Sequence, residues 1–106
     1  MTDKILTLLG FASKAGKLSY GFDSVKTALN KQKSKLVLMA YDISPKTEKE
    51  VAFFSEKMNV PNLLLENCDM QTLSHAIGKK CAVLSVNDAQ FANSLIKAVT
   101  SREELK

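Results

Sequence analysis

His75, Asp42, Cys68 and Cys81 carry the side chains with most chemistry to offer in this 106-residue chain. His75 is the sole histidine. On a helix it would neighbour Gln71 and Thr72, with no carboxylate four residues away to orient its ring, so a structural or surface role is expected. Asp42 follows the apolar run Leu36–Ala40, the end of a strand where open α/β sheets hold their ligands. A phospho-acceptor or small-molecule site is one reading. The preferred one is a carboxylate that caps the following helix through local hydrogen bonds. Cys68 stands beside Asp69 at a helix start, where a thiolate is favoured. With no base close in sequence, a small buried or loop cysteine is the expectation. The two cysteines share no short ligand spacing and make no disulfide framework, so they read as reduced thiols. No G-x-S-x-G elbow or phosphate-binding G-x-x-x-x-G-K-[ST] loop occurs. The glycines at 10, 16, 21 and 78 form no dinucleotide fingerprint. An enzyme built on Asp42 or Cys68 with His75 therefore lacks its constellation, and neither cofactor nor metal is expected.

A different chemistry is suggested by Leu18-Ser19-Tyr20-Gly21-Phe22-Asp23-Ser24. Gly21 lets a partner approach the backbone, and Asp23 and Ser24 present polar groups at a helix N-terminus whose free N–H groups suit phosphate oxygens and base edges. The alternative is a helix that begins with these residues simply to cap itself. Lysines at 17, 26, 31, 33 and 35 flank the segment. Residues 1–35 carry seven lysines against Asp3 and Asp23, whereas the remainder has eight basic and nine acidic side chains. The positive field thus belongs to the first third. Such a surface attracts polyanions and loses them as salt rises. It is also what an idle, solvated lysine face would look like.

The elements that must position these residues follow from periodicity. At this length one domain and one core are expected, over residues 1–100 with a charged tail at 101–106. No signal peptide is recognisable, and no segment approaches the ~20 apolar residues that cross a bilayer. A cytoplasmic protein, with no membrane partner, is the expectation. Ile5, Leu8, Leu9 and Ala12 make one stripe of a helix from about Asp3 to Ala15, stopped by Gly16. Lys17–Tyr20 reads as a linker to a second helix with Val25, Ala28 and Leu29 inward. Leu36–Ala40 is unbroken apolar sequence, so it reads as a central strand covered on both faces. Ser44-Pro45 starts a helix with Val51, Phe54 and Met58 inward. Leu63–Leu65 is the next strand, and Asp69 caps a short helix that ends at Gly78. Cys81–Val86 is the last strand. Asn87 with Gln90 has capping-box spacing before a helix bearing Phe91, Ala92, Leu95 and Ile96. Helices alternating with short buried strands give an α/β fold, a three-layer α-β-α sandwich around a small mixed four-stranded sheet.

Several stretches, taken in order, resemble the ribosomal-protein family of L-seven-Ae and L-thirty-e type, above all its small bacterial members. They are Leu8-Leu9-Gly10-Phe11-Ala12, Ala15-Gly16-Lys17, Gly21-Phe22-Asp23-Ser24, Lys33 through Ala40, Asp42, Val60-Pro61 and Leu73 through Lys79. The similarity covers about residues 4–98. It implies an α-β-α sandwich and binding of structured RNA, specifically the kink-turn, a sharply bent helix built around sheared G·A pairs. Ribosomal RNA is among the candidates, a monomer the expected state and ribosome association the expected setting. Carried over, the N-terminal turn of the second helix supplies Gly21, Asp23, Ser24, Thr27 and Lys31. The loop before the penultimate helix supplies Asn67, Cys68, Asp69 and Met70. Lys31 and Lys35 would neutralise phosphates crowded by the bend, and Met70 would pack on a splayed base. The family's strongest second-helix motif is Asn-Glu-x-x-Lys, where this chain has Asp23-Ser24-Val25-Lys26-Thr27. Each lost base contact would cost roughly 1–3 kcal/mol. The rival expectation is a protein-interaction adaptor of the same fold, on the ribosome or RNA-processing machinery, with a weakened RNA surface.

Overall fold

Leu36–Ala40 is dry on both faces, and the rest of the molecule is arranged to keep it so. A computed structural model describes the backbone of residues 2–104 and the side chains of residues 4–100. Its elements are α1 (Thr2–Lys14), β1 (Leu18–Tyr20), α2 (Phe22–Asn30), β2 (Leu36–Ala40), α3 (Pro45–Lys57), β3 (Asn62–Leu65), α4 (Met70–Ile77), β4 (Val83–Val86) and α5 (Ala89–Glu104). The strands lie in the order β1-β4-β2-β3. β4 runs antiparallel to both β1 and β2, and β3 is parallel to β2. Side chains of β2 alternate between two cores, as the pleat requires. Leu36, Leu38 and Ala40 join α1, α4 and α5 on one face. Val37 and Met39 join α2 and α3 on the other. The mixed sheet between two helical layers is thus the expected α/β sandwich.

Local chemistry fixes the element ends. Ser44 accepts a hydrogen bond from the Thr47 amide at 3.2 Å, with Pro45 at the first helical position, where a missing N–H costs nothing. Asp69 accepts from the Thr72 amide at 2.8 Å, and Gly78 ends α4 in the left-handed conformation.

Three expectations are corrected. Lys17–Tyr20 is not wholly a linker: Leu18–Tyr20 is an edge strand paired with Val86, Ser85 and Leu84. Three residues are too few to show a period, so only the pairing reveals it. The cap of α5 is Asp88, whose Oδ2 accepts from the Phe91 amide at 2.9 Å, rather than Asn87. Asn87 is drawn away into a buried hydroxyl chain. Its Nδ2 donates to Ser19 Oγ at 2.8 Å, and its Oδ1 lies 2.6 Å from Ser85 Oγ. Ser85 Oγ is also 2.7 Å from Ser34 Oγ. A hydroxyl has one hydrogen, so Ser34 donates to Ser85 and Ser85 donates to Asn87. Third, the expected charged tail is not set apart from α5, whose backbone stays helical through Glu104. The last two residues of the expected tail, and the side chains of 101–106, lie outside the described residues.

No helix among the described residues is long and apolar enough to cross a membrane. Ser85 is fully buried, so Ser85→Ala leaves both Ser34 and Asn87 short of a partner. The substitution should lower stability by about 1–3 kcal/mol, read as a reduced urea midpoint with an unchanged slope.

Candidate functional site

Three strands, β1, β2 and β3, point one way and β4 points the other. Their ends therefore form two opposite rows of loops. The first row holds Tyr20–Ser24, Tyr41–Ser44, Glu66–Met70 and Gly78–Ala82. The second holds Lys14–Lys17, Asn30–Lys35, Glu56–Pro61 and Asn87-Asp88.

Gly21 sits in the first row. Its N–H donates to the Val83 carbonyl at 2.9 Å, and its carbonyl opens α2 by accepting from the Val25 amide. Its φ of 88° and ψ of 163° lie in a region that essentially only glycine occupies. A Cβ there would meet nothing within 4 Å. The glycine is demanded by the backbone and not by internal packing, and its outer side is open. No side chain caps α2. The amides of Phe22, Asp23 and Ser24 precede the first intrahelical bond and stand at the helix end that favours negative charge. Asp23, Ser24 and Thr27 are exposed. The Thr27 hydroxyl, however, donates back to the Asp23 carbonyl at 3.0 Å.

Against Gly21 stands the Gly78–Ala82 turn, because β4 enters beside the exit of β1. Two hydroxyls hold this turn. Ser74 Oγ accepts from the Cys81 amide at 3.0 Å and donates to the Cys81 carbonyl at 3.3 Å. Ser13 Oγ donates to the Ile77 carbonyl at 2.9 Å, which leaves Tyr20 to donate to Ser13 across 2.6 Å. The Lys79 ammonium lies 5.8 Å from the centre of the Tyr20 ring, a favourable cation–π placement. Tyr20, Lys79 and Lys80 thus border the candidate site; Tyr20 lay in the segment noted from sequence, but no role was assigned to it or to the two lysines. Had Leu18–Tyr20 been read as a strand, its pairing with β4 would have placed all three.

The second expected segment is farther away. β1 and β3 are the two edges of the sheet, so Asn67–Met70 lies about three strand spacings, ~14 Å, from Gly21. Asn67 is exposed and Asp69 half-buried. Cys68 is 2% exposed and packed in the core, so its side chain is withheld from the surface. Burial pushes its thiol up, and the carboxylates of Asp69 and Asp42 push the same way. Burial also raises the Cys81 thiol, against a partial lowering by the Gly21 and Val83 backbone. Met70 is half-buried against the core. Its amide donates to Asp42 Oδ1 at 2.8 Å. Asp42 therefore caps α4, not the helix that follows it, and ties the β2 exit to the β3 exit. An open groove of about 590 Å³ runs along α4 from Met70 past Ser74 and His75 to Lys79 and Lys80, joining the two segments.

Lys31 and Lys35 do not join Gly21. Lys31 is the C-cap of α2, a nine-residue helix ~13 Å long. Lys35, whose amide donates to the Val86 carbonyl, is in the second row. The two rows differ in charge. The first has Lys79 and Lys80 against Asp23, Asp42, Glu66 and Asp69. The second has lysines at 14, 17, 31, 33, 35 and 57 against Glu56 and Asp88. No group of three or more His, Cys, Asp or Glu suited to a metal ion occurs among the described residues.

Residues 3–96 match the model of the Ribosomal protein L7Ae/L30e/S12e/Gadd45 family. The chain is 37% identical over 90 residues to the RNA-binding protein YlxQ of Bacillus subtilis, covering 84% of this chain and 88% of that protein. It is 33% identical over 89 residues to YlxQ of Enterococcus faecium, covering 84% of each. A solved Bacillus halodurans protein of unknown function superposes with a TM-score of 0.86 at 30% identity, over 92% of this chain and 97% of that one. The Giardia lamblia 15.5kD RNA binding protein shares the fold, with a TM-score of 0.78 at 19% identity over 99% and 89% of the two chains.

Gly21→Ala should cost about 1–3 kcal/mol, from backbone strain alone. Because its Cβ points into open space, spectra of the folded variant should be unchanged away from residues 20–25. The Asp69 carboxyl is held below its usual range by the Thr72 amide first and the Thr72 hydroxyl second. A depressed folded value means its contribution is full above the unfolded carboxylate range and disappears as pH falls through the folded value. Urea unfolding at stepped pH should show an acid limb that is shallower in Asp69→Ala than in the parent.

Proposed function

The chain belongs to the ribosomal protein L7Ae/L30e/S12e/Gadd45 family, and on that premise we propose that it is a binding module for structured RNA. It grips a kinked helix of the kink-turn kind at the first row of loops, in a ribosomal or ribosome-associated RNA, and its work is binding rather than catalysis. The observation that carries this reading is the pairing of an open, backbone-demanded Gly21 with the pinned Gly78–Ala82 turn. In its support stand relatives named for RNA binding.

The chemistry is divided among few groups. Gly21 admits a bent strand to within contact of the backbone, and the amides of residues 22–24 face its oxygens. Asp23 accepts from an exposed base amino group such as that of guanine, which the edges of an opened groove present. Lys79 and Lys80 meet phosphates, and Tyr20 braces Lys79 from below. Asn67, Asp69 and the exposed part of Met70 reach the far strand along the α4 groove. Asp23 and Asp69 repel phosphate, so this row selects by base edges and shape more than by charge. Binding only the kinked form shifts a flexible junction toward it.

The test is a titration into a kink-turn labelled at both ends, read by energy transfer, beside a matched RNA whose G·A pairs are replaced. The expected result is folding of the first RNA only. Replacing Lys79 and Lys80 together with alanine should weaken binding and reduce the salt slope by about one per lost phosphate contact. Equal binding of both RNAs would end the kink-turn reading.

A further inference from the structure

The charge that the sequence places in its first third is carried by the fold to the row of loops opposite Gly21. There six lysines face two carboxylates, and one of those, Asp88, is engaged in capping α5. The surplus equals the formal charge of the whole chain, +4. We propose that this second row is a separate RNA-backbone site, so that the protein bridges two RNA segments. The inference rests on the RNA-binding reading for the nature of the anion, but not on recognition of a kink.

The lysines are spread along the row. The Asn87 amide donates to the Lys17 carbonyl and the Lys35 amide to the Val86 carbonyl, which places Lys17 and Lys35 on either side of the β4 exit. The strand order then sets them about two spacings, ~10 Å, apart. Beyond Lys35 toward β3 opens a groove of about 500 Å³, lined by Gln32, Ser34, Lys35, Lys57 and Asn59 among others. Lys31 and Lys33 border it in sequence. Gln32 and Asn59 stand in the left-handed region, at φ 60° and 59°, where α2 and α3 end. Their amides interleave hydrogen-bonding groups with the ammonium groups, as sugar hydroxyls and phosphates on one strand require. A row about 14 Å long matches several consecutive phosphates, not one small anion.

Two simpler accounts fail on magnitude and composition. Lysines at helix C-termini offset the helix dipole, but α1, α2 and α3 together contribute only about 1.5 negative charges. Six lysines exceed that need. A lipid headgroup surface would call for an apolar wedge beside the basic residues. Among the described residues, the large exposed apolar side chains, Phe11, Tyr41, Phe53 and Leu64, lie outside these loops. The row is also held in shape, since the Ser34–Ser85–Asn87–Ser19 chain ties three of its strand ends together.

The test uses the full chain and a plain twenty-base-pair RNA duplex without a kink, followed by fluorescence anisotropy at several salt concentrations. Lys33→Gln, Lys35→Gln and Lys57→Gln combined should weaken duplex binding at least tenfold and lower the salt slope by two to three, at ~0.9 per contact. The combined Lys49→Gln and Lys97→Gln variant, which removes exposed lysines of α3 and α5 outside both rows, should bind the duplex within twofold of the parent. Unchanged melting temperatures establish that both variants fold. Duplex retained by protein already saturated with a labelled kink-turn would support the bridge, and stoichiometric displacement would overturn it. If the kink-turn does not bind at all, the first-row reading fails while the duplex arm still decides this one. Duplex binding indifferent to the triple variant would sink the proposal. So would full displacement by millimolar inorganic phosphate at matched ionic strength, which would mark a small-anion site.

Discussion

A strand without a wet face sets the terms for everything else here. The side chains of β2 are 0–2% exposed, and they alternate between two separate cores. Burying such a strand on one side only would leave two large apolar groups in water, at roughly 1.5–3 kcal/mol each. Helices must therefore lie on both faces. α2 and α3 take one and α1, α4 and α5 the other, each presenting an apolar stripe. The sheet's central position for β2 follows, with β4 and β3 as neighbours and β1 left to the edge.

The direction of β4 decides which loops meet. As the one strand antiparallel to its neighbours, it enters where β1 and β2 leave. That brings the Gly78–Ala82 turn against Gly21, from almost sixty residues away in sequence. Backbone and polar constraints fix the shape of both segments. One is fixed by a backbone conformation open only to glycine, the other by the hydroxyls of Ser13 and Ser74. Hydroxyls on rigid elements hold such turns in one geometry, which a recognition surface needs if binding is not to bear the ordering entropy.

Much of this was legible in the residues. The unbroken run Leu36–Ala40 announced a doubly covered strand, and Ser44-Pro45, Asp69 and Gly78 marked helix ends by capping chemistry that is local and therefore readable. Gly21 stood out for the same reason. What escaped was set by tertiary pairing. Leu18–Tyr20 has no periodicity to show, and its identity as a strand depends on β4. Asn87 had the spacing of a cap but is recruited by Ser85 and Ser19, so a buried hydroxyl chain outcompeted a helix terminus. Asp42 was read as a local cap and instead serves a helix 28 residues away. Lys31 and Lys35 were grouped with Gly21 by the family resemblance, whereas a helix of nine residues carries them to the other end of the sheet.

The separation of charge between the two loop rows has a consequence for motion as well as for contact. Positive charge gathered on one side of a body 33 × 29 × 26 Å across, opposite a slightly acidic side, makes the whole molecule an electric dipole. In the field of a polyanion such a body is turned before it touches, and at low ionic strength the torque reaches out to a Debye length of tens of ångströms. It arrives lysine end first. On the two-site reading proposed above, the acidic end would then face outward, free to sample a second RNA segment while the lysine end is anchored.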